Sequence, residues 1–247
     1  MKNLSLNQQL RMFYKKLDDF RLYDINSPIF RHRIKELEQI LGRYRDLFGK
    51  NALDIGCGGG ISTFAIESLG LNAIGIDSLD EMINMAKKAA RKLKSKAHFI
   101  VADAKQARFN TSFDSIFFLG NMIIHLSYKN LQAIIKNITK YVKENSVFVF
   151  HYADMISELW SGNFFTRSPK TIDKNIIYSY NSEEGYISIT IINKKIRDDL
   201  YEGERFNLYV WTPLMLELAL SNNNLHLIQR EHLPKNMYLD IYKFKHI

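Results

Sequence analysis

From residue 51 onward, short apolar runs alternate with longer stretches in which apolar residues recur every three to four positions. The short runs have the length of buried β-strands, and the longer stretches have the period of amphipathic helices. Strand and helix patterns that alternate in this way predict a parallel sheet with right-handed crossover helices. The predicted strands are 51–55, 74–76, 99–102, 114–119 and 146–150, and the predicted helices begin at Ser62, Asp80 and Leu131.

The segments on either side of this region have different patterns. Residues 7–24 and 29–41 place apolar side chains at helical spacing, which predicts two N-terminal helices. Residues 176–211 predict antiparallel strands with a turn at 183–185. A helix from Pro213 to Leu220 should follow, because Thr212 is a good N-cap and proline suits the first helical position.

Two last strands are predicted at 225–230 and 237–244. We expect them to join the sheet as an antiparallel pair, which gives an α/β, Rossmann-like sheet of seven mostly parallel strands with helices on both faces. The antiparallel segment would then form a lid over the carboxyl edge of the sheet, where ligands of open α/β sheets bind. The expected organisation is one structural domain with an N-terminal helical cap at 1–42, a core at 43–160 and 212–247, and the lid at 161–211.

A turn with four glycines follows the first predicted strand. The segment Asp54-Ile55-Gly56-Cys57-Gly58-Gly59-Gly60 leads into a helix, and glycine lets the backbone approach a ligand closely. The second strand ends at Asp77, about 20 residues later, which is the separation at which a βαβ unit brings an acid to ribose hydroxyls. The glycine that a dinucleotide fingerprint needs next is replaced by Ile61. The pattern therefore favours a nucleoside cofactor other than NAD.

This D-x-G-x-G-x-G pattern resembles motif I of the class I S-adenosylmethionine-dependent methyltransferases, and further motifs follow in the family's order. Asp77 matches the ribose-binding acid, residues 101–104 resemble the third strand with its adenine-contacting Asp103, and residues 113–118 resemble the fourth strand. The resemblance implies S-adenosylmethionine as the cofactor. The cofactor-binding residues expected from the motifs and the N-terminal segment are Asp54, Gly56, Cys57, Gly58, Gly60, Asp77, Ser78, Asp103, Ala104, Leu119, Gly120, Tyr14, Tyr23 and Arg33.

Residues 118–126, together with 147–151, loosely resemble the glycine and sarcosine N-methyltransferase branch of this family. The resemblance implies an antiparallel lid, and it makes Asn121 a substrate or cofactor contact. That branch holds the acceptor's carboxylate with an arginine, where this chain has Ala153. Because the guanidinium fork is what binds a carboxylate in bidentate fashion, its loss argues against glycine as the acceptor.

Several of these residues have two interpretations. His125 is a candidate proton acceptor, or it packs beneath the loop, and His151 and Tyr152 leave the fifth strand at the carboxyl edge as candidate catalytic residues. Asp54 either orients the glycine turn toward the methionine end of the cofactor or only caps that turn. Further candidates come from the N-terminal segment: Tyr14 and Tyr23 for the sulfonium, and Arg33, with Arg31 as the alternative, for the cofactor carboxylate.

Composition narrows the classes further. The 247 residues are 46% hydrophobic, no apolar run reaches the length of about 20 residues that a bilayer needs, and the first residues have no secretory h-region. A cytoplasmic location follows as an expectation. The single cysteine, Cys57, excludes an intrachain disulfide, and the histidines lack metal-ligand spacing, so no metal is expected.

The formal charge of +8 raises the possibility of a polyanionic partner. Basic residues crowd one predicted helix, but no aromatic side chains that could stack on bases stand among them, which favours a solvated face. The basic residues are Lys87, Lys88, Arg91, Lys92, Lys94 and Lys96.

The leading hypothesis is an enzyme that methylates a nitrogen or oxygen of a small-molecule acceptor, with no membrane involved. A transfer RNA methyltransferase and a cofactor-binding protein without catalysis are the alternatives. A nicotinamide-dependent dehydrogenase is disfavoured by Ile61 and by the lack of a clear catalytic dyad. The sequence leaves the oligomeric state open.

Overall fold

The protein contains two β-sheets. The computed structural model describes residues 6–16, 22–161, 176–197 and 200–245. The helices are α1 (Leu6–Lys16), α2 (Pro28–Gly42), α3 (Ile61–Ser68), α4 (Asp80–Leu93), α5 (Tyr128–Ile138), α6 (Met155–Trp160) and α7 (Pro213–Ser221). The strands are β1 (Asn51–Ile55), β2 (Asn72–Asp77), β3 (His98–Val101), β4 (Phe113–Phe118), β5 (Val142–Ala153), β6 (Ile176–Asn181), β7 (Tyr186–Arg197), β8 (Leu200–Tyr209), β9 (Leu225–Leu233) and β10 (Met237–Phe244).

The main sheet has seven strands in the order β3-β2-β1-β4-β5-β10-β9. The first five are parallel, and β10 pairs antiparallel with both β5 and β9. The predicted α/β class, the strand count and the closing antiparallel pair are therefore confirmed. Because β1 and β4 lie at the centre, their carboxyl ends open onto the middle of the sheet's edge, which is where the glycine turn begins.

Side chains of the central strands alternate between two apolar layers. Leu53 and Ile55 of β1 pack on the face that is covered by α5 and α7, whereas Ala52 packs on the opposite face. The helices α2, α3 and α4 cover that opposite face at one end of the sheet. This arrangement confirms the prediction of helices on both faces, and it fixes α2 and α3 next to the glycine turn.

Local capping sets the ends of the helices that border the edge of the sheet. Ser27 Oγ accepts a hydrogen bond from Ile29 N, and Pro28 is the first residue of α2, one residue before the predicted 29–41. Ser127 Oγ caps α5, so this helix starts three residues before the predicted Leu131 and then tightens into a 3-10 turn at Thr139–Tyr141. The first part of the predicted helix at 7–24 is observed as α1, residues 17–21 lie outside the described residues, and residues 22–24 are not α-helical.

A second, antiparallel sheet of three strands has the order β6-β7-β8. Ile187 and Ile189 of β7 pack on its apolar side with Ile124 and Met155. The outer edge of β8 is met by α1, where Gln9 Oε1 accepts a hydrogen bond from Asn207 N at 3.2 Å. The sequence predicts antiparallel strands here, and the parts of the expected lid at 162–175 and 198–199 lie outside the described residues.

Within the described ranges, no helix combines the length and apolar character that a membrane crossing requires. The same residues contain no group of three or more side chains suited to holding a metal ion.

Candidate active site

The glycine turn joins β1 to α3 through backbone conformations that favour glycine. Gly56, Gly58 and Gly60 have φ values of +69°, +51° and +96°. The amides of Gly56 and Cys57 both donate to Ile76 O, at 2.9 and 3.0 Å, which ties the turn to the end of β2. A Cβ atom at Gly56 would lie 2.6 Å from Met122 Cε, the end of a flexible side chain, so the left-handed backbone is the main reason for glycine at this position.

Asp77 connects the end of β2 to this turn. Its Oδ2 accepts a hydrogen bond from Gly58 N at 2.9 Å, and its Oδ1 accepts one from Leu79 N at 2.9 Å. Burial raises the pKa of Asp77 even though these backbone donors lower it. The carboxylate therefore has a fixed orientation and retains lone pairs that a ligand hydroxyl can use.

Asp77 also lines the first of two adjoining compartments at the carboxyl edge of the sheet. Of the predicted cofactor residues, this first compartment brings together Tyr14, Gly56, Asp77, Ser78, Asp103 and Ala104. Asp103 accepts a hydrogen bond from Lys105 N at 2.9 Å, and Ser78 Oγ donates to Asn7 Oδ1 of α1 at 3.0 Å. The wall of the first compartment combines carboxylates with apolar side chains such as Leu10, Leu79 and Ile134, and this combination suits a nucleoside.

The second compartment lies on the other side of the glycine turn. The predicted residues that line it are Tyr14, Tyr23, Arg33, Gly56, Cys57, Leu119, Gly120 and His151. Arg33 lines this compartment and Arg31 does not, so the geometry favours Arg33 as the arginine for the cofactor carboxylate. Tyr23 lies directly over the turn, because a Cβ atom at Gly59 would overlap the ring of Tyr23.

Tyr14, Gly56 and Met122 line both compartments, so the two spaces meet at these residues. The ring of Tyr14 lies near two other predicted site residues, with centroid distances of 6.3 Å to Tyr23 and 6.2 Å to His125. The two compartments of the cleft therefore adjoin each other at Tyr14, Gly56 and Met122. Aromatic rings at this junction favour a cation.

Two histidines face this cleft. His125 lines the first compartment, and His151 lines the second. Burial lowers the pKa of His125 to about 4, and burial together with the charge of Arg33 lowers the pKa of His151 to about 4. Both imidazoles are thus neutral near pH 7, and the low pKa makes each a weak base. His151 Nδ1 is buried and has no hydrogen-bond partner among the residues that the structure describes.

Tyr152 and Asp54 are placed away from the cleft. The Tyr152 hydroxyl is in the core, donating to Asp240 Oδ2 at 2.9 Å, so the structure contradicts the predicted role of Tyr152 at the acceptor. Asp54 is buried beneath the turn, where its Oδ2 accepts hydrogen bonds from Ser62 and Thr63 at 2.6 Å each. Of the two interpretations for Asp54, this geometry favours the structural one.

Asn121, Gly58 and Gly60 also lie outside the lining of the two compartments. Asn121 has a left-handed backbone, and its Oδ1 accepts a hydrogen bond from Ala153 N at 3.0 Å, which joins the loop after β4 to β5. This contact gives Asn121 a structural role that the sequence did not indicate. Gly58 and Gly60 shape the turn, with a Cβ at Gly60 lying 2.8 Å from Phe64 Cε2.

Cys57 is buried in the second compartment's wall. Burial and the nearby Asp54 raise the pKa of its thiol well above the ordinary value. The thiol is therefore protonated and a poor nucleophile.

Several lining residues were not predicted from the sequence. Leu10 and Asn130 reach the cleft from helices that carry no motif, Met122 does so from the loop after β4, and Glu36 does so from α2. Only the spacing of Glu36, three residues after Arg33, could have indicated that the two share a helix face.

Comparison with known proteins agrees with this geometry. Residues 52–145 match the family model described as a methyltransferase domain. The ubiquinone biosynthesis O-methyltransferase of Rickettsia canadensis is 27% identical over 135 residues, which cover 55% of each chain. The chain thus spans about half the length of the curated relatives it matches.

Similarity to solved structures extends over nearly the whole chain. The PH0226 protein of Pyrococcus horikoshii has a TM-score of 0.73 and 25% identity, with 95% of this chain and 99% of that chain covered. An S-adenosylmethionine-dependent methyltransferase of Clostridium acetobutylicum has a TM-score of 0.64 and 15% identity, with 98% and 100% covered. The chain therefore has the Rossmann-like fold of the S-adenosylmethionine-dependent methyltransferases, and its residues 52–145 are similar to the methyltransferase-domain family.

Proposed function

We propose that this protein is an S-adenosylmethionine-dependent methyltransferase that acts on a nitrogen or oxygen atom of a small molecule. The observation that carries the proposal is the pair of adjoining compartments at the glycine turn, with Asp77 and Asp103 lining one and Arg33 lining the other. A nucleoside and an amino acid joined by a sulfonium have polar groups at the two ends and a cation in the middle. The residues present fit that ligand.

Each residue then has a defined role. Asp77 would accept hydrogen bonds from the ribose, Asp103 would contact the adenine, and Arg33 would bind the carboxylate. When bound, S-adenosylmethionine supplies a methyl group that is already activated by its positive sulfur. Tyr14 and Met122 line the cleft where the two compartments meet, which restricts the space beside the reacting atoms and helps to exclude water.

The histidines extend the proposal to the acceptor. A hydroxyl or ammonium acceptor arrives protonated, and His125 and His151 are the neutral bases that face the cleft. The relatives named as ubiquinone biosynthesis O-methyltransferases favour oxygen. Glycine is a poor candidate, because Ala153 offers no cation for its carboxylate and donates its backbone N–H to Asn121. The likeness to the glycine and sarcosine branch is therefore proposed for the antiparallel lid only.

A small acceptor is favoured over transfer RNA. Lys87, Lys88 and Arg91 of α4 are exposed, whereas Met82 and Ile83 of the same helix are buried. This is the distribution of a solvated surface helix. The cytoplasmic location, and the division into cap, core and lid within one domain, are parts of the same proposal.

Calorimetric titration with S-adenosylmethionine, S-adenosylhomocysteine and NAD tests the cofactor directly. Both sulfur compounds should bind and NAD should not. An acceptor panel of hydroxyls, amines and transfer RNA would follow, and cofactor binding without turnover on any acceptor would leave a binding protein. Failure of both sulfur compounds to bind would refute the proposal.

The Asp77→Ala variant should bind S-adenosylhomocysteine more weakly by about 1.5 to 3 kcal/mol, because it loses charge-assisted hydrogen bonds to the ribose. Calorimetry measures the affinity, and circular dichroism checks that the variant is folded, since Asp77 also accepts from Gly58 N. Asp46→Ala, at an exposed acid outside the cleft, is the control and should bind as the wild type does. Unchanged affinity in folded Asp77→Ala protein would show that the site is placed wrongly.

A further inference from the structure

The helix α2 presents two opposite charges to the second compartment. Arg33 and Glu36 are three residues apart, so they project from one face of the helix, and both line this compartment together with Leu37. The helix is held in place by Phe30, Leu37 and Leu41, which are buried against the core. The two charged side chains are therefore carried by a rigid element rather than by a loop.

Neither charged group is paired with another residue in the described part of the chain. No hydrogen bond or ion pair joins Arg33 or Glu36 to the residues that the structure describes, or joins the two to each other. Other charged residues of the region are engaged, as Arg43 is with Glu231 at 2.7 Å and Arg45 is with the carbonyl oxygen of Leu69. A cation and an anion that both face one compartment are suited to a ligand that carries both charges.

The amino-acid end of the proposed cofactor has this chemistry. Its carboxylate matches the guanidinium fork of Arg33, and its ammonium, one carbon away, needs an acceptor or an anion nearby. An arginine alone would attract any anion, including a phosphate or a simple carboxylate. A neighbouring carboxylate repels such ligands and selects a zwitterion.

We propose that Glu36 binds the α-ammonium group of the cofactor and makes the second compartment selective for a zwitterion. This inference rests on the proposed function, because it assigns the amino-acid end of the cofactor to the compartment that Arg33 lines. It adds a specificity-determining residue that the motifs of the sequence do not include.

The test compares two ligands and three proteins by calorimetry. The ligands are S-adenosylhomocysteine and its deaminated analogue, in which hydrogen replaces the amino group. The proteins are the wild type, Glu36→Gln and, as a matched control on the same helix, Glu38→Gln, whose side chain does not line the cleft. Glutamine keeps the size of the side chain and removes its charge.

Glu36→Gln should bind S-adenosylhomocysteine about 5- to 10-fold more weakly than the wild type, a modest effect because Glu36 is exposed to solvent in this structure. Its affinity for the deaminated analogue should stay the same or rise, since that ligand is an anion which Glu36 repels. Glu38→Gln should match the wild type with both ligands.

An equal loss for both ligands, or no loss for either, would overturn the role of Glu36 while leaving the cofactor assignment intact. If the wild type fails to bind S-adenosylhomocysteine at all, the proposed function itself fails. The two failures are therefore distinguishable in one set of titrations.

Discussion

Replacing Arg230 by methionine is expected to lower the free energy of unfolding by about 3 to 5 kcal/mol, because it leaves a buried carboxylate without its cation. Arg230 binds Asp240 in bidentate fashion, with Nε and Nη2 each 2.9 Å from a carboxylate oxygen. Asp240 is fully buried and also accepts hydrogen bonds from the hydroxyls of Tyr152 and Tyr242. Urea denaturation monitored by circular dichroism measures the loss.

Arg43→Met is the matched control. Arg43 also pairs with an acid, Glu231, at 2.7 Å, but the two side chains are 48% and 24% exposed, whereas Asp240 is 0% exposed. Such a surface pair contributes at most about 1 kcal/mol. A combined Arg230→Met and Asp240→Leu variant should recover part of the loss, because no buried charge is then left unpaired. If Arg230→Met costs no more than Arg43→Met, the buried network is not a stabilising unit.

This network also shows what the sequence could not reveal. The strand patterns predict β9 and β10 correctly, but the pairing of Arg230 with Asp240 depends on the register of the hairpin between them. Register is set by the turn and by burial on each face, and neither is visible in a single strand pattern. The sheet itself could be predicted, because the hydrophobic period of each segment identifies it as a strand or a helix without reference to its neighbours.

The site residues that the sequence predicted best are those at fixed positions of a motif. Asp77 and Gly56 follow directly from the strands that carry them, and the structure brings both to one cleft. Met122 and Glu36 were missed because their place depends on how a loop and a helix pack over the turn, not on a local pattern.

His151 and Tyr152 could have been distinguished from the sequence. Successive residues of a strand point to opposite faces, so two neighbours in β5 cannot both reach the same side of the sheet. The structure places His151 in the cleft and Tyr152 in the core on Asp240. Strand period alone would have separated these candidates.

Asp54 should make the stability of the protein fall as pH rises from about 4 to about 7. Burial raises its pKa from 3.8 to about 7, an effect that the hydrogen bonds from Ser62 and Thr63 only partly offset. The folded protein therefore binds a proton that the unfolded chain releases in this pH range. As the pH rises from about 4 to about 7, the folded protein loses this extra proton. The free energy of unfolding then falls by about 4 kcal/mol in total, at 1.36 kcal/mol per pKa unit.

Asp54→Asn keeps an oxygen that can accept from Ser62 and Thr63 but has no charge to bury. Relative to this variant, the wild type should lose about 2.5 kcal/mol of unfolding free energy between pH 5 and pH 8, measured by urea denaturation at each pH. Asp114→Asn is the control of opposite sign. Burial raises the pKa of Asp114, but hydrogen bonds from Asn51 N, Lys50 N and the Lys143 ammonium outweigh this and hold it below 3.8.

The contribution of Asp114 is present above its unfolded pKa and is lost only as pH falls through its lower folded pKa. The difference between wild type and Asp114→Asn should therefore stay constant between pH 5 and pH 8, while the difference between wild type and Asp54→Asn changes. Parallel pH profiles for wild type and Asp54→Asn would mean that Asp54 is already ionised at pH 5 in the folded protein. The short bonds to Ser62 and Thr63 would then hold a carboxylate beneath the glycine turn, and α3 would begin over a buried negative charge.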